Sequence, residues 1–122
     1  MATTGERATG TITIEYNTVT VTPGADGDVW LTPSEIARMF EVFVSAVTSN
    51  IRAIYKHGAL RVSKTSNLPT PHAELYNMEM ISALAFRVDT PRSAAFRRWL
   101  VRRPDSRMLV VNFPHNERTI VN

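Results

Sequence analysis

The 122 residues of this chain are 43% apolar, 20% charged and free of cysteine, which suits one domain with a single core and excludes disulfide bonds, thiolate metal sites and cysteine nucleophiles. No apolar run approaches the ~20 residues of a membrane-spanning helix, and the first residues lack the pattern of a secretion signal, so we expect a cytoplasmic protein without a membrane partner. The net charge of +3 divides into −4 over residues 1–50 and +7 over residues 51–122, and twelve of the fourteen cations are arginine, a bias that favours a polyanionic partner.

The beginning of the chain predicts a β-hairpin. Residues 1–10 are small and polar, and we expect a flexible N-terminus there. Residues 11–16 and 18–22 alternate apolar and polar side chains and are rich in β-branched residues, which predicts two strands that turn near Asn17. A turn cluster follows, and residues 29–31 predict a short third strand.

Two short helices, separated by about three residues, are predicted next. Thr32 and Glu35 flank Pro33 in the pattern of a capping box, which begins a first helix that ends near Glu41. The second helix covers roughly residues 44–56. One side of it carries an apolar stripe at spacings of three and four residues, formed by Val44, Val47, Ile51 and Ile54. The opposite side is polar and carries Ser45, Thr48, Ser49, Arg52 and Lys56.

The second half of the chain predicts a hairpin, two helices and a last strand. After Gly58 stops the second helix, residues 60–64 and 72–76 are expected to pair as strands across a proline-containing loop. Residues 78–87 predict a helix that is apolar nearly all round and therefore central, and a fourth helix runs from Thr90-Pro91 to about Arg103. Residues 108–113 predict a strand, so the expected single domain covers residues 11–113 and is followed by a tail at residues 114–122.

A polar-faced helix that follows a short bracing helix and precedes a hairpin is the pattern of a winged helix-turn-helix. In that arrangement the second helix enters the major groove of DNA, and the hairpin contacts a flanking strip of phosphates. An ordinary helical hairpin inside a core is the alternative that the pattern leaves open. The expected fold class is therefore α+β, with a winged helix-turn-helix-like core of about four helices, an N-terminal β-hairpin and a wing hairpin.

Four segments of the sequence carry a resemblance to a known family. They are VWLTPSEIARMF at residues 29–40, SAVTSNIRAIY at 45–55, YNMEMISALAFRV at 76–88 and TPRSAAFRRWL at 90–100. In this order they resemble the motifs of the bacterial RhuM family, often labelled virulence-associated. The resemblance runs from about residue 12 to residue 103 and implies a DNA-binding-type domain of bacterial chromosomes and mobile elements. Where the family has Gly-Val-Ser-Arg at the turn, this chain has Glu41-Val42-Phe43-Val44.

The expected function is that of a bacterial DNA-binding regulatory protein, with double-stranded DNA as its partner and a homodimer as its assembly. Hydroxyl groups would lie nearest to the base edges, on Ser45, Thr48 and Ser49. Cations would bind phosphates, on Arg52, Lys56, Arg61 and Lys64.

An alternative from another class is a protein–protein interaction module on the same scaffold, which has lost sequence-specific DNA binding and contacts a partner chain through Phe43 and Val44. Phe43 itself is open to two interpretations, as a filler of the core or as an exposed apolar contact. The arginines of the fourth helix are also open to two, as a second basic patch or as solvated and paired side chains; they are Arg97, Arg98 and Arg102, with Asp89 and Asp105 as the expected partners.

The sequence indicates no catalytic or cofactor chemistry. Its three histidines are far apart, at positions 57, 72 and 115, and its five glycines form no phosphate-binding loop. Serine and histidine occur in no recognisable nucleophile context. We therefore expect neither an enzyme nor a metal, cofactor or small-molecule substrate.

Overall fold

The computed structural model describes residues 9–58, 60–70 and 73–102. Most of the N-terminus that the sequence predicts to be flexible, the strand predicted at residues 108–113 and the tail at residues 114–122 lie outside these residues. Within them, the α+β class is confirmed. The elements in chain order are β1 (Thr11–Glu15), β2 (Thr18–Thr22), β3 (Trp30–Leu31), α1 (Pro33–Phe40), α2 (Val44–Lys56), the single turn α3 (Val62–Thr65), β4 (Ser66–Thr70), β5 (Ala73–Asn77), α4 (Met78–Ala85) and α5 (Pro91–Arg102).

The strands form two small antiparallel sheets. β1 and β2 pair as the predicted hairpin, with Ile14 opposite Val19 and a turn at Tyr16 and Asn17. The other sheet has the order β3-β5-β4, so that the short strand before α1 pairs with the second strand of the later hairpin. This pairing holds the chain segments before α1 and after α3 against each other.

Helix α1 begins and ends as the sequence predicts. The capping box is present, since the Thr32 N–H donates to Glu35 Oε1 at 2.9 Å and the Glu35 N–H donates to Thr32 Oγ1 at 3.1 Å. Phe40 is the last helical residue, and Glu41 reverses the chain in the left-handed region with a φ of 60°. The Val42 N–H then closes the turn on the Ala37 carbonyl at 3.0 Å. These bonds set the angle at which α2 leaves α1.

The prediction of a strand at residues 60–64 is wrong. Residues 62–65 form the helical turn α3, and the first strand of the hairpin is β4, which lies in the segment that the sequence predicts to be a loop. Hydroxyl groups stabilise the turn, because Thr65 Oγ1 donates to the Arg61 carbonyl at 2.6 Å and Ser66 Oγ donates to the Val62 carbonyl at 2.9 Å. β4 is an edge strand, the place in a sheet where a proline such as Pro69 is tolerated.

Helix α4 is the central helix that its sequence predicts, although it ends at Ala85, two residues earlier than expected. Seven of its eight residues are buried. Its first turn is capped from two places, since Asn77 Oδ1 accepts from the Met80 N–H at 3.2 Å and Asp28 Oδ1 accepts from the Met78 N–H at 3.1 Å. Because Asp28 lies 50 residues earlier, this bond fastens the turn before β3 to the core.

Helix α5 covers the core and holds the N-terminal hairpin. The rings of Phe40 and Phe96 meet edge to face with centroids 5.7 Å apart, and Trp99 stacks on Phe96 at 5.3 Å. Arg92 Nη1 donates to the Ile14 carbonyl, and Arg98 Nη2 donates to Asn17 Oδ1 at 2.7 Å. Among the helices that the structure describes, none is long and apolar enough to cross a membrane.

Candidate nucleic-acid interface

Helix α2 separates its apolar and polar side chains between two faces. Val47, Ile51 and Ile54 are buried and pack toward the core that α1 and α4 share. The predicted polar residues lie at the helical positions opposite them. Ser45, Ser49, Arg52 and Lys56 are exposed, and Thr48 is partly exposed. The helix therefore presents a continuous polar face with hydroxyl groups in its first half and cations in its second.

Two polar side chains of α2 are already hydrogen-bonded. Thr48 Oγ1 donates to the Ser45 carbonyl at 3.2 Å, so its single hydroxyl proton is used within the helix. The Asn50 amide is bonded at both ends, because Nδ2 donates to the Ala46 carbonyl and Oδ1 accepts from Arg87 Nε, each at 2.8 Å. The donors that remain for a ligand on this face are the hydroxyls of Ser45 and Ser49 and the cations of Arg52 and Lys56.

Arg87 is a cation beside α2 whose position the sequence pattern does not predict. It lies just after α4 and is exposed, and its bond to Asn50 crosses 37 positions of the chain. Residues so far apart in sequence give no periodic signal of their proximity. Asn50 holds the guanidinium of Arg87 at the side of α2, outside the arc of Ser49, Arg52 and Lys56.

The segment that carries Arg61 is tied to the last turns of α2. Tyr55 Oη and Thr65 Oγ1 are 2.9 Å apart. Since Thr65 donates its only hydroxyl proton to the Arg61 carbonyl, Tyr55 is the donor in this bond. The Arg61 side chain is exposed and lies at the N-cap of α3. Lys64, the other predicted phosphate contact of this segment, lies on α3, and its side chain is outside the described part of the chain.

Phe43 and Val44 form an exposed apolar pair at the start of α2. Phe43 is the N-cap residue and is 82% exposed, while Val44 is 43% exposed. The exposure of Phe43 rules out the interpretation of this ring as a core filler. Val44 is itself only half buried, so it does not belong fully to the apolar stripe of α2. The pair is accessible to solvent, and its use as a contact for a partner chain stays a prediction.

Other charged side chains are engaged away from α2. The Glu41 carboxylate, in the turn before α2, pairs with Arg92 at 3.0 Å. Arg97 donates to the carbonyls of Ala85 and Val88 at 2.7 and 2.9 Å and lies 3.6 Å from Asp89. For Arg97 these bonds favour a paired side chain over membership of a second basic patch on α5, and Asp105 lies outside the described residues.

No candidate metal centre is seen in the described part of the chain. Among residues 9–58, 60–70 and 73–102, no group of three or more histidine, aspartate or glutamate side chains is placed to hold a metal ion. A groove of about 570 Å³ lies between β1 and α1 and includes Glu35, Arg38 and Arg92, but no residue of α2 lines it. Burial, together with a hydrogen bond to Glu74, raises the pKa of Tyr76 above its usual range, so this core phenol stays protonated.

Comparisons with protein-family models, with curated proteins and with solved structures found no match for the chain. The assignment to the RhuM family therefore stays a prediction from sequence motifs. Any functional conclusion depends on the arrangement of α2, the hairpin that follows it and the charges around them.

Proposed function

We propose that the protein is a DNA-binding regulatory protein of the winged helix-turn-helix type, in which α2 enters the major groove of double-stranded DNA. The observation that carries the proposal is the orientation of α2. Its apolar stripe is buried, and its hydroxyls and cations are exposed together on the other face. A helix of this kind matches the ~12 Å width of the major groove.

The elements around α2 support the same proposal. A short strand, two helices and a hairpin follow one another in the chain, and the strand β3 pairs with β5 of the hairpin. Strand β5 also contacts α1, and in the proposal the β4–β5 hairpin serves as the wing. The four motifs that resemble the RhuM family lie on β3, α1, α2, α4 and α5, and we include membership of that family in the proposal.

Each polar residue has an assigned role in the proposed complex. Ser45, Thr48 and Ser49 would lie over base edges, while Arg52 and Lys56 would contact the phosphates on one side of the groove. Arg61 and Lys64 would contact the strip of phosphates beside the wing. Such proteins bind two half-sites as dimers, so a cytoplasmic homodimer is part of the proposal.

The test is a titration of the protein against random-sequence duplex DNA at low and moderate salt. Arg52→Glu and Lys56→Glu should each raise the Kd about tenfold or more, because each replaces an attraction to phosphate by a repulsion. Arg102→Glu is the matched control, since Arg102 is also exposed but lies at the end of α5. Absence of binding at low salt, or an equal loss of DNA affinity in the control variant, would contradict the proposal.

A second candidate function is supported by the exposure of Phe43. An exposed aromatic ring beside a half-exposed valine is typical of a protein contact, and the same scaffold could use it to bind a partner chain. In that case Phe43→Ser should change the mass measured by analytical ultracentrifugation or abolish capture of the partner. A wild-type protein that is monomeric at all concentrations, with an unchanged Phe43→Ser variant, would count against self-association through this residue.

A further inference from the structure

The start of α2 carries an aromatic residue where a helix ordinarily carries a polar one. N-cap positions favour serine, threonine, aspartate and asparagine, because their side chains accept a hydrogen bond from the first turn. Phe43 occupies this position with no side-chain cap bond, and 82% of its surface is exposed. The ring therefore contributes neither a cap nor core packing, and the described contacts of the fold give no reason for it.

The apolar pair continues directly into the polar face of α2. Val44, Thr48 and Arg52 follow one another at intervals of four residues, so they form one ridge along the helix. The ridge is apolar at its beginning and cationic toward its end. A ligand that lies along it meets Val44 at one end, next in the chain to the exposed ring of Phe43, and a positive charge at the other.

Side chains able to form paired hydrogen bonds with a base are missing from the first half of this face. Recognition of a base by paired hydrogen bonds relies on arginine, lysine, asparagine, glutamine or an acidic side chain. The exposed polar positions of α2 before Arg52 carry hydroxyl groups instead. Thr48 uses its proton on the Ser45 carbonyl. Asn50, the only amide side chain of α2, is bonded at both ends. Hydrogen bonding can therefore supply little discrimination between bases here.

We propose that Phe43 and Val44 recognise the C5-methyl groups of thymine in the major groove. This inference rests on the DNA-binding function proposed above and names the feature of DNA that α2 reads. The thymine methyl is the one apolar group that the major groove presents in unmodified DNA. Contact with it removes both the methyl group and the exposed ring from water. Arg52, on the same ridge, supplies the attraction to the adjacent phosphates.

The experiment compares duplexes that differ only in C5-methyl groups. Fluorescence anisotropy at low salt would give the Kd for alternating dA-dT, dA-dU, dG-dC and dG-5-methyl-dC duplexes. We expect a tighter Kd for each methylated duplex than for its unmethylated counterpart, by about fourfold for each methyl group that is contacted. Phe43→Ala and Val44→Ala should reduce this ratio toward one. Val101→Ala, which removes an exposed valine from α5, should leave it unchanged.

The outcomes distinguish this inference from the proposed function. Equal affinity for methylated and unmethylated duplexes, or a preference that persists in Phe43→Ala, overturns the inference and leaves DNA binding intact. Absence of binding to all four duplexes overturns both. A change of oligomeric mass in Phe43→Ala with an unaltered methyl preference overturns it as well and assigns the ring to a protein interface.

Discussion

The guanidinium of Arg92 joins the turn before α2 to the N-terminal hairpin. Its Nε lies 3.0 Å from Glu41 Oε2, and its Nη1 donates to the Ile14 carbonyl in β1. Glu41 would repel phosphate as an isolated charge close to DNA, but the ion pair with Arg92 neutralises it. Both side chains are partly exposed, so the pair contributes little to the free energy of unfolding. The ion pair instead fixes a position, because it directs the Glu41 carboxylate toward Arg92 on α5.

The backbone of Glu41 leads to a prediction about the stability of this turn. A residue with a side chain pays a conformational penalty at a φ of 60°, whereas glycine does not. We expect Glu41→Gly to be more stable than Glu41→Ala by about 1 kcal/mol, because both variants lose the ion pair and only alanine keeps the strain. Urea unfolding followed by tryptophan fluorescence gives the difference. An alanine variant as stable as the glycine variant would show that the turn is not strained.

Substitution by alanine is expected to have opposite effects on stability at two buried serines. Ser82 lies on α4, and its hydroxyl is a buried polar atom without a hydrogen-bond partner among the described residues. Ser93 lies on α5, where its hydroxyl accepts from the Thr90 N–H at 2.9 Å and bonds to the Val88 carbonyl at 3.0 Å. We expect Ser82→Ala to be neutral or to stabilise by up to about 1 kcal/mol, and Ser93→Ala to cost about 1–3 kcal/mol.

Thermal unfolding of the two variants beside the wild type checks this contrast. Both serines are buried and lie within helices, so the two substitutions remove the same hydroxyl group from comparable surroundings. A lower melting temperature for Ser82→Ala would mean that its hydroxyl has a partner that the described contacts do not include.

The sequence allowed α2 and its orientation to be predicted because this information is local. The spacing of Val47, Ile51 and Ile54 identifies the buried face, and Thr32 and Glu35 mark where α1 begins. The turn α3 was missed, because its stability comes from hydroxyl bonds and from the contact of Thr65 with Tyr55, which strand propensity does not register. The bond between Arg87 and Asn50 was missed since it depends on how α4 packs against α2.

The loop before β3 gives a prediction about pH. Asp26 accepts hydrogen bonds from the Asp28 N–H and from Trp30 Nε1, each at 2.9 Å, and these bonds lower its pKa. A carboxylate with a lowered pKa in the folded state stabilises the fold above its unfolded pKa, and this contribution disappears as the pH falls through the folded value. We expect the wild type to lose more stability than Asp26→Asn between pH 5 and about pH 2.

The effect should remain below about 1 kcal/mol because Asp26 is exposed to solvent. Urea unfolding at both pH values isolates it, since the other carboxylates titrate in both proteins and cancel in the comparison. Trp30→Phe, which removes the indole donor, should reproduce part of the change. Identical pH dependence in the wild type and Asp26→Asn would show that the loop bonds do not favour the charged form.

The proposed interface predicts a specific dependence of DNA affinity on salt. Four cations, Arg52, Lys56, Arg61 and Lys64, are assigned to phosphates, and each contact releases a condensed counterion. The logarithm of the binding constant should therefore fall with the logarithm of salt concentration with a slope of about −3 to −4 for each bound subunit, and Arg52→Gln should reduce its magnitude by about 0.9 per subunit. Arg102→Gln removes an equal charge from α5 and should leave the slope as it is. A slope near zero would mean that the affinity does not come from phosphate contacts, and a slope much steeper than about −4 per bound subunit would require cations beyond the four assigned here.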